Sequence, residues 1–363
     1  MTLNLGRTTT ALVIAASGAH SLAQPAEIVA QSRWQWTGIG VTDNHTIFVN
    51  FPRWSDRMEY SVARLDGQGT PQPFPDASWN DWEPGQAVED HKFVAVQSVV
   101  VDDEGALWVL DTGNPFFGGV VQGGARLFKF DPDSGELLRT YQFEGDGVVL
   151  ENSYLNDVRF DHEHGYAYLT DSNEGGLVVL DLKSGHARRV LADHPSTFAE
   201  PIDLTFGGEI WTRAGERPQI HSDGIAYDSK RDMLYYQALT GATLYQIPAA
   251  TLRDTSLDED EIASRIRKMG DHFPVDGLIA DDRGRIYLSN LQDSAVDRFD
   301  PVRRSEPLER LAQDPAIAWP DSFSLSSDGW LYFTSAQIHR GDNPHDPYRI
   351  FRIQIGTQAT DTQ

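Results

Sequence analysis

Short stretches in which apolar and polar residues alternate recur along the whole chain, and each reads as a β-strand because successive side chains of a strand face opposite ways. A clear case runs over 96–101, turns at Asp102-Asp103-Glu104-Gly105, and returns over 107–110 with Trp108 among aliphatic neighbours. Tight turns of this kind join antiparallel strands. The paired pattern occurs six times, over 36–51, 96–114, 155–173, 221–240, 275–291 and 320–337. A third strand follows several copies, at 125–131, 176–182, 243–248 and 348–354, and a fourth is visible at 137–143 and 187–192.

Four short antiparallel strands per unit, repeated six times, predict an all-β fold, a six-bladed β-propeller. The last copy ends near Ile355 with three strands, whereas 26–33 precedes the first copy with no partner of its own. This N-terminal strand is expected to complete the last blade and close the ring, so that no edge stays open. One helix is expected over 258–267, with acids in its first turn and bases in its last. No linker divides the chain, so 24–357 reads as a single domain and 358–363 as a disordered tail. Residues 1–23 read as an export signal: Arg7, an apolar stretch over 11–16, then small Ser21 and Ala23 around Leu22. That predicts a secreted or periplasmic protein.

Composition narrows the partners. With 54 acidic against 30 basic side chains the net charge is −24, which repels nucleic acid and anionic lipid. No apolar run approaches the ~18 residues that cross a bilayer. The expected partner is therefore a small molecule, and nothing in the sequence specifies an oligomer. The absence of cysteine excludes disulfides, zinc-thiolate sites and cysteine nucleophiles. There is also no HExxH, GxSxG or phosphate-loop motif.

In a propeller the first strand of each blade lines a central channel. The residues at its start here are Gln97 and Ser98, Asn156 and Asp157, Asp223, Asp276, and Asp321. Carboxylates converging on one axis repel unless protonated, hydrogen-bonded or held by a cation. Three readings stay open. The side chains could cap backbone donors at the strand starts. They could instead grip an amine or polyhydroxylated ligand while Trp54, Trp211 or Trp319 packs its apolar face. Or Asn156, Asp223 and Asp276 could ligate Ca2+ or another divalent cation, the one cofactor the pattern admits. Proton transfer would need a carboxylate or imidazole near neutral pKa, for which Asp223 beside His221 is the candidate pair. His162 and His164 share a turn that suits a weak surface metal or plain solvation. The glycine-rich 118–124 and the polar 339–345 are loops that could overhang a mouth, and Arg53-Trp54 could either pin two blades or meet the channel.

Several of these stretches carry a resemblance. Phe51-Pro52-Arg53-Trp54, Phe74-Pro75-Asp76 with Trp79-Asn80, Val96-Gln97-Ser98 and 107–114 are similar, in order, to the Yellow/major royal jelly protein family, as are Leu155-Asn156-Asp157, Thr170-Asp171-Ser172, Ser222-Asp223-Gly224 and Leu234-Tyr235-Tyr236. That resemblance implies a six-bladed propeller and a range of roles: dopachrome-converting isomerases, binders of biogenic amines, and non-catalytic structural proteins. The chain departs from the secreted insect members in having no cysteines. A more distant resemblance, at Leu155-Asn156-Asp157 and Asp276-Gly277, is to gluconolactonase/regucalcin propellers. It implies a metal-dependent lactone hydrolase, but Thr37 and Gly38 stand where that family places its first acidic ligand.

Overall fold

A computed structural model describes residues 23–356 apart from 144, 146, 304–307 and 342. The expected export signal, except for Ala23, and the expected tail lie outside the described residues. Six four-stranded antiparallel sheets form six blades of a propeller, with one additional two-stranded hairpin. The inner strands, in blade order, are Ile39–Val41, Val96–Val101, Leu155–Asp161, Ser222–Asp228, Leu278–Ala280 and Pro320–Leu325.

The alternation that marked the strands in sequence becomes the packing between blades. In the second strand of blade 2, Leu107 and Val109 fall in one apolar cluster with Phe48 and Val62 of blade 1. Trp108 and Leu110, between them, fall in another with Leu155, Val158 and Leu169 of blade 3. Both faces of a blade are therefore buried, each against a neighbour. The same holds around the ring, through Tyr168 and Ile225, Leu244 and Leu288, Tyr287 and Phe333, and Tyr332 and Trp36.

Closure follows the expectation. Glu27–Ser32 pairs antiparallel with Tyr348–Gln354 as the outer strand of blade 6, and Glu27 and Arg352 add an ion pair at 2.8 Å. The expected helix over 258–267 is shorter. Its start is right, because Asp258 and Glu261 form a reciprocal cap on Glu259–Ala263. Its end is not, because Arg267 begins Arg267–Asp271, the outer strand that blade 4 needs against Thr243–Pro248. Sheet pairing won over local helix preference. Ala249–Arg253, which the sequence reading left unassigned, is a second short helix.

Between blades 3 and 4 the chain makes an excursion through 198–220 that the repeat did not anticipate. It contains the hairpin Thr205–Phe206 and Glu209–Ile210. Trp211 anchors it in a cluster with Leu204, Leu239, Leu291 and Trp319.

Candidate functional site

The inner strands of blades 2, 3, 4 and 6 lose register with their neighbours at the same step, between Val96 and Ser98, Leu155 and Val158, Ser222 and Gly224, and Pro320 and Phe323. A bulge of this kind inserts residues and re-aims their side chains. The residues inside these breaks are Gln97, Asn156 with Asp157, Asp223, and Asp321 with Ser322. Blade 5 reaches the same result differently. The N–H groups of Asp276 and Gly277 both donate to Ser289 Oγ, at 2.9 and 3.0 Å, before the strand begins.

The Asp-Gly pairs have a packing reason. A Cβ on Gly277 would overlap the carbonyl oxygen of Asp321, and one on Gly224 would stand 2.5 Å from that of Asp276. Without side chains at these glycines, neighbouring blades approach closely enough to bring Asp223, Asp276 and Asp321 onto one surface.

That surface is the floor of a cavity of about 380 Å³ at the mouth of the channel. Gln97, Asn156, Asp223, Asp276 and Asp321 all line it. Trp54, Phe117 and Tyr154 form an aromatic wall, with Phe117 stacked between the others at 6.0 and 4.8 Å. A hydrogen-bond relay ties wall to floor: Trp54 Nε1 donates to Tyr154 Oη at 2.6 Å, Tyr154 to Gln97 Oε1 at 2.8 Å, and Gln97 Nε2 to Asn156 Oδ1 at 2.8 Å. Ile220, Leu239 and Ile338 supply apolar surface, and Arg213 stands at the rim. Phe116, Phe117, Trp319 and Gln337 around this mouth have φ of 59°, 56°, 58° and 50°, a region that costs non-glycine residues energy and is concentrated at functional sites.

Burial dominates the floor's electrostatics. It pushes the Asp223 carboxyl well above the usual range, and the charges of Asp276 and Asp321 push the same way. Asp321 is also raised, by burial first and then by Asp276. Asp276 is raised to about 6 by burial, held back by hydrogen bonds from Trp319 and Asp223. The Asp223 and Asp276 carboxyls lie close enough to share a proton and titrate as a pair. Burial and mutual repulsion thus both disfavour three full charges on the floor.

The remaining predicted residues lie elsewhere. Ser98 donates to Asp157 Oδ1 at 2.9 Å, and Arg159 Nη2 holds Asp157 Oδ2 at 2.7 Å, so this group forms a separate ion pair. Arg159 lines a second cavity, of about 360 Å³, at the opposite ends of the inner strands. His221 is not among the residues lining the first cavity. Its Nδ1 accepts from the Ala199 N–H at 2.9 Å, Phe198 packs against its ring, and burial lowers its pKa.

The strand-capping role belongs chiefly to acids at the ends of the second strands. Asp111 accepts from the N–H groups of Val94, Ala95 and Gly113, and Asp171 from those of Tyr154, Asn173 and Glu174. These bonds hold the segments that present Gln97 and Tyr154. Of the three candidate tryptophans, Trp54 lines the cavity, while Trp211 and Trp319 pack behind it. Arg53 pins blades, donating to the carbonyls of Val94 and Trp82.

Among the described residues, the His and acid groups close enough to share a cation are Asp102, Glu104 and His162, and Asp161, His164 and Asp232. Neither belongs to the ring. The second already has a cation, since Arg253 bonds both Asp161 and Asp232 at 2.7 Å.

A family model described as major royal jelly protein matches residues 94–363. The chain belongs to that family. Protein yellow of Drosophila melanogaster is 24% identical over 231 residues, which are 59% of this chain and 41% of the fly protein. Protein yellow of Drosophila yakuba is 23% identical over the same shares. The chain thus spans less than half the length of these curated relatives.

Among solved structures, regucalcin from Agrobacterium tumefaciens, described as a calcium-binding protein, superposes with a TM-score of 0.54 at 13% identity, covering 92% of this chain and 96% of that one. A gluconolactonase from Xanthomonas campestris gives 0.55 at 13% identity, covering 92% and 95%. Likeness at this identity establishes the propeller and nothing finer. No helix among the described residues of this major royal jelly protein family member is long and apolar enough to cross a membrane.

Phe117, Tyr154 and Arg213 are the site residues that sequence reasoning missed. Tyr154 stands just before the Leu155-Asn156-Asp157 stretch and was within reach of the same argument. Phe117 and Arg213 lie on loops outside the repeat, where periodicity carries no signal.

Proposed function

We propose that the cavity binds a small, flat aromatic metabolite with a hydroxyl or amine edge, and that Asp223 and Asp276 move a proton between two of its atoms. The reading is a tautomerase-like isomerase, with a dopachrome-like molecule as the substrate class the family suggests. The observation that carries it is the hydrogen-bonded Asp223–Asp276 pair on the floor of a cavity whose wall is aromatic. Asp276, as carboxylate, takes a proton from the substrate, and Asp223 gives its own to a second substrate atom. The hydrogen bond between the two carboxyls then returns the proton from Asp276 to Asp223. Atoms balance without a co-reactant. A volume near 380 Å³ is at the small end for ligand sites and suits one or two fused rings. The signal-like residues 1–23 support export.

The donor set fits a cation poorly, which weighs against the lactone-hydrolase alternative. Asn156 Oδ1 already accepts from Gln97, and Asp276 Oδ2 from Trp319. In blade 1, Thr37 is buried and donates to the Gln97 carbonyl, so no acid faces the ring there. No step is derived through a metal.

Turnover and calorimetric binding of dopachrome and a panel of catechols and indoles test the proposal, with Asp223→Asn and Asp276→Asn as variants. Expected is turnover by the wild type, unaffected by a chelator, and a loss of about 100-fold or more in each variant. Binding without turnover would reduce the protein to a ligand carrier. No binding of any member of the panel would sink the site.

A further inference from the structure

Among the described residues, Asn156 is the one buried side-chain amide whose NH2 group goes unused. Asn50, Gln97, Asn114, Gln237, Asn290 and Gln337, buried to a similar degree, all donate through theirs. Asn156 is only 7% exposed, and it lines the first cavity. A buried donor without an acceptor opposes folding, and an acceptor brought by a ligand relieves that cost.

The relay from the aromatic wall fixes which way this amide points. An indole N–H only donates, so Trp54 gives its hydrogen to Tyr154 Oη at 2.6 Å, and Tyr154 directs its own to Gln97 Oε1 at 2.8 Å. Gln97 then has only its NH2 to offer Asn156, whose Oδ1 accepts at 2.8 Å. The Asn156 NH2 is the end of the chain. The backbone holds it in place, because Asn156 lies in the bulge of Leu155–Asp161, just after Tyr154, whose N–H donates to Asp171 at 2.9 Å.

Asp223, Asp276 and Asp321 line the same cavity, yet none accepts from this amide: Asp276 takes the indole of Trp319, and Asp321 the hydroxyl of Ser322. A ligand that meets both groups places an acceptor at Asn156 and an acidic hydrogen at the floor. An enolisable carbonyl compound carries these two features on neighbouring atoms. We infer that the Asn156 NH2 group holds a carbonyl oxygen of the ligand and stabilises the negative charge that gathers there when Asp276 takes the proton from the adjacent carbon. The C–H electron pair becomes the C=C bond of the enolate, and the C=O π pair moves onto the oxygen. A donor fixed in advance where charge develops lowers the barrier most. This rests on the proton transfer proposed above and assigns its electrophilic partner.

The test uses 2-indanone, a flat bicyclic ketone, with wild type, Asn156→Leu, Asn156→Ala and Asp276→Asn. Proton NMR in D2O follows deuterium exchange at the carbons beside the carbonyl, and infrared spectroscopy follows the carbonyl band of the bound ketone. Expected in wild type are exchange above the buffer rate and a band as low as in water, well below its position in hexane. Both Asn156 variants should lose about 100-fold or more in kcat with little change in KM, and should raise the band. Asp276→Asn should lose exchange and keep the low band, which separates the donor from the base. A wild-type band at its hexane position overturns the inference, and that measurement needs no variant to fold. Exchange and band unchanged in folded Asn156 variants also overturn it, while leaving the proton transfer by the aspartates standing. A low wild-type band without exchange, raised in the Asn156 variants, keeps Asn156 as the carbonyl donor and removes the proton transfer. Failure of wild type to bind 2-indanone removes both.

Discussion

Trp319 donates its indole N–H to the Asp276 carboxylate at 2.7 Å, across the boundary between blades 6 and 5. The bond favours the charged form of Asp276 and opposes the burial that raises its pKa to about 6. Trp319→Phe keeps the aromatic packing and removes the donor. The ascending limb of the pH–activity profile, which reports Asp276 as base, should then move to higher pH by about one pH unit. A limb that stays in place would mean that Asp276 is not the base.

The floor also predicts how stability depends on pH. Asp276 binds its proton more tightly folded than unfolded, so its contribution is full below the ordinary carboxylate range and is lost as pH rises through about 6. Asp223 and Asp321, raised in the same direction, act with the same sign. Asp276→Asn removes the titration and should raise the melting temperature at pH 8 relative to wild type, with the difference vanishing toward pH 4. The effect is on the order of 3 kcal/mol at most. Scanning calorimetry at the two pH values checks it, and a variant less stable than wild type at pH 8 contradicts it.

Close approach of the blades makes Gly277 intolerant. Gly277→Ala forces a methyl group into the Asp321 carbonyl oxygen, and relief requires moving one blade against the next. Destabilisation of about 2 kcal/mol or more is expected, against little change for Gly67→Ala in open space. Urea denaturation of both variants decides the point. Equal midpoints would show that the channel is not packed this tightly.

The relay from wall to floor carries its own prediction. Tyr154→Phe leaves the stack with Phe117 but deprives Gln97 Oε1 of its donor and Trp54 Nε1 of its acceptor. Affinity for an aromatic ligand should fall about tenfold, while thermal stability falls by ~1–3 kcal/mol for the unpaired groups. Unchanged affinity would remove the relay from the site.

Which residues alternate, which turns are tight and where the repeat begins were all legible along the chain, because they depend on neighbours a few positions apart. Those signals suffice for six blades, for closure by Glu27–Ser32 and for the polar positions at the starts of the inner strands. They do not say how a ring of such positions divides. Gln97, Asn156, Asp223, Asp276 and Asp321 share a cavity, whereas Ser98 and Asp157 turn to Arg159 and His221 to Ala199. Bulges of one residue decide the division, and a strand's period of two makes a single extra residue enough to change a side chain's face. Partners such as Asp276 and Trp319, or Phe117 and Arg213, lie 43 and 96 positions apart, and only the closed ring brings them into contact. Local sequence determined the blades. The acidity of the floor, set by burial and by carboxylates from three different blades, was decided by the tertiary structure alone.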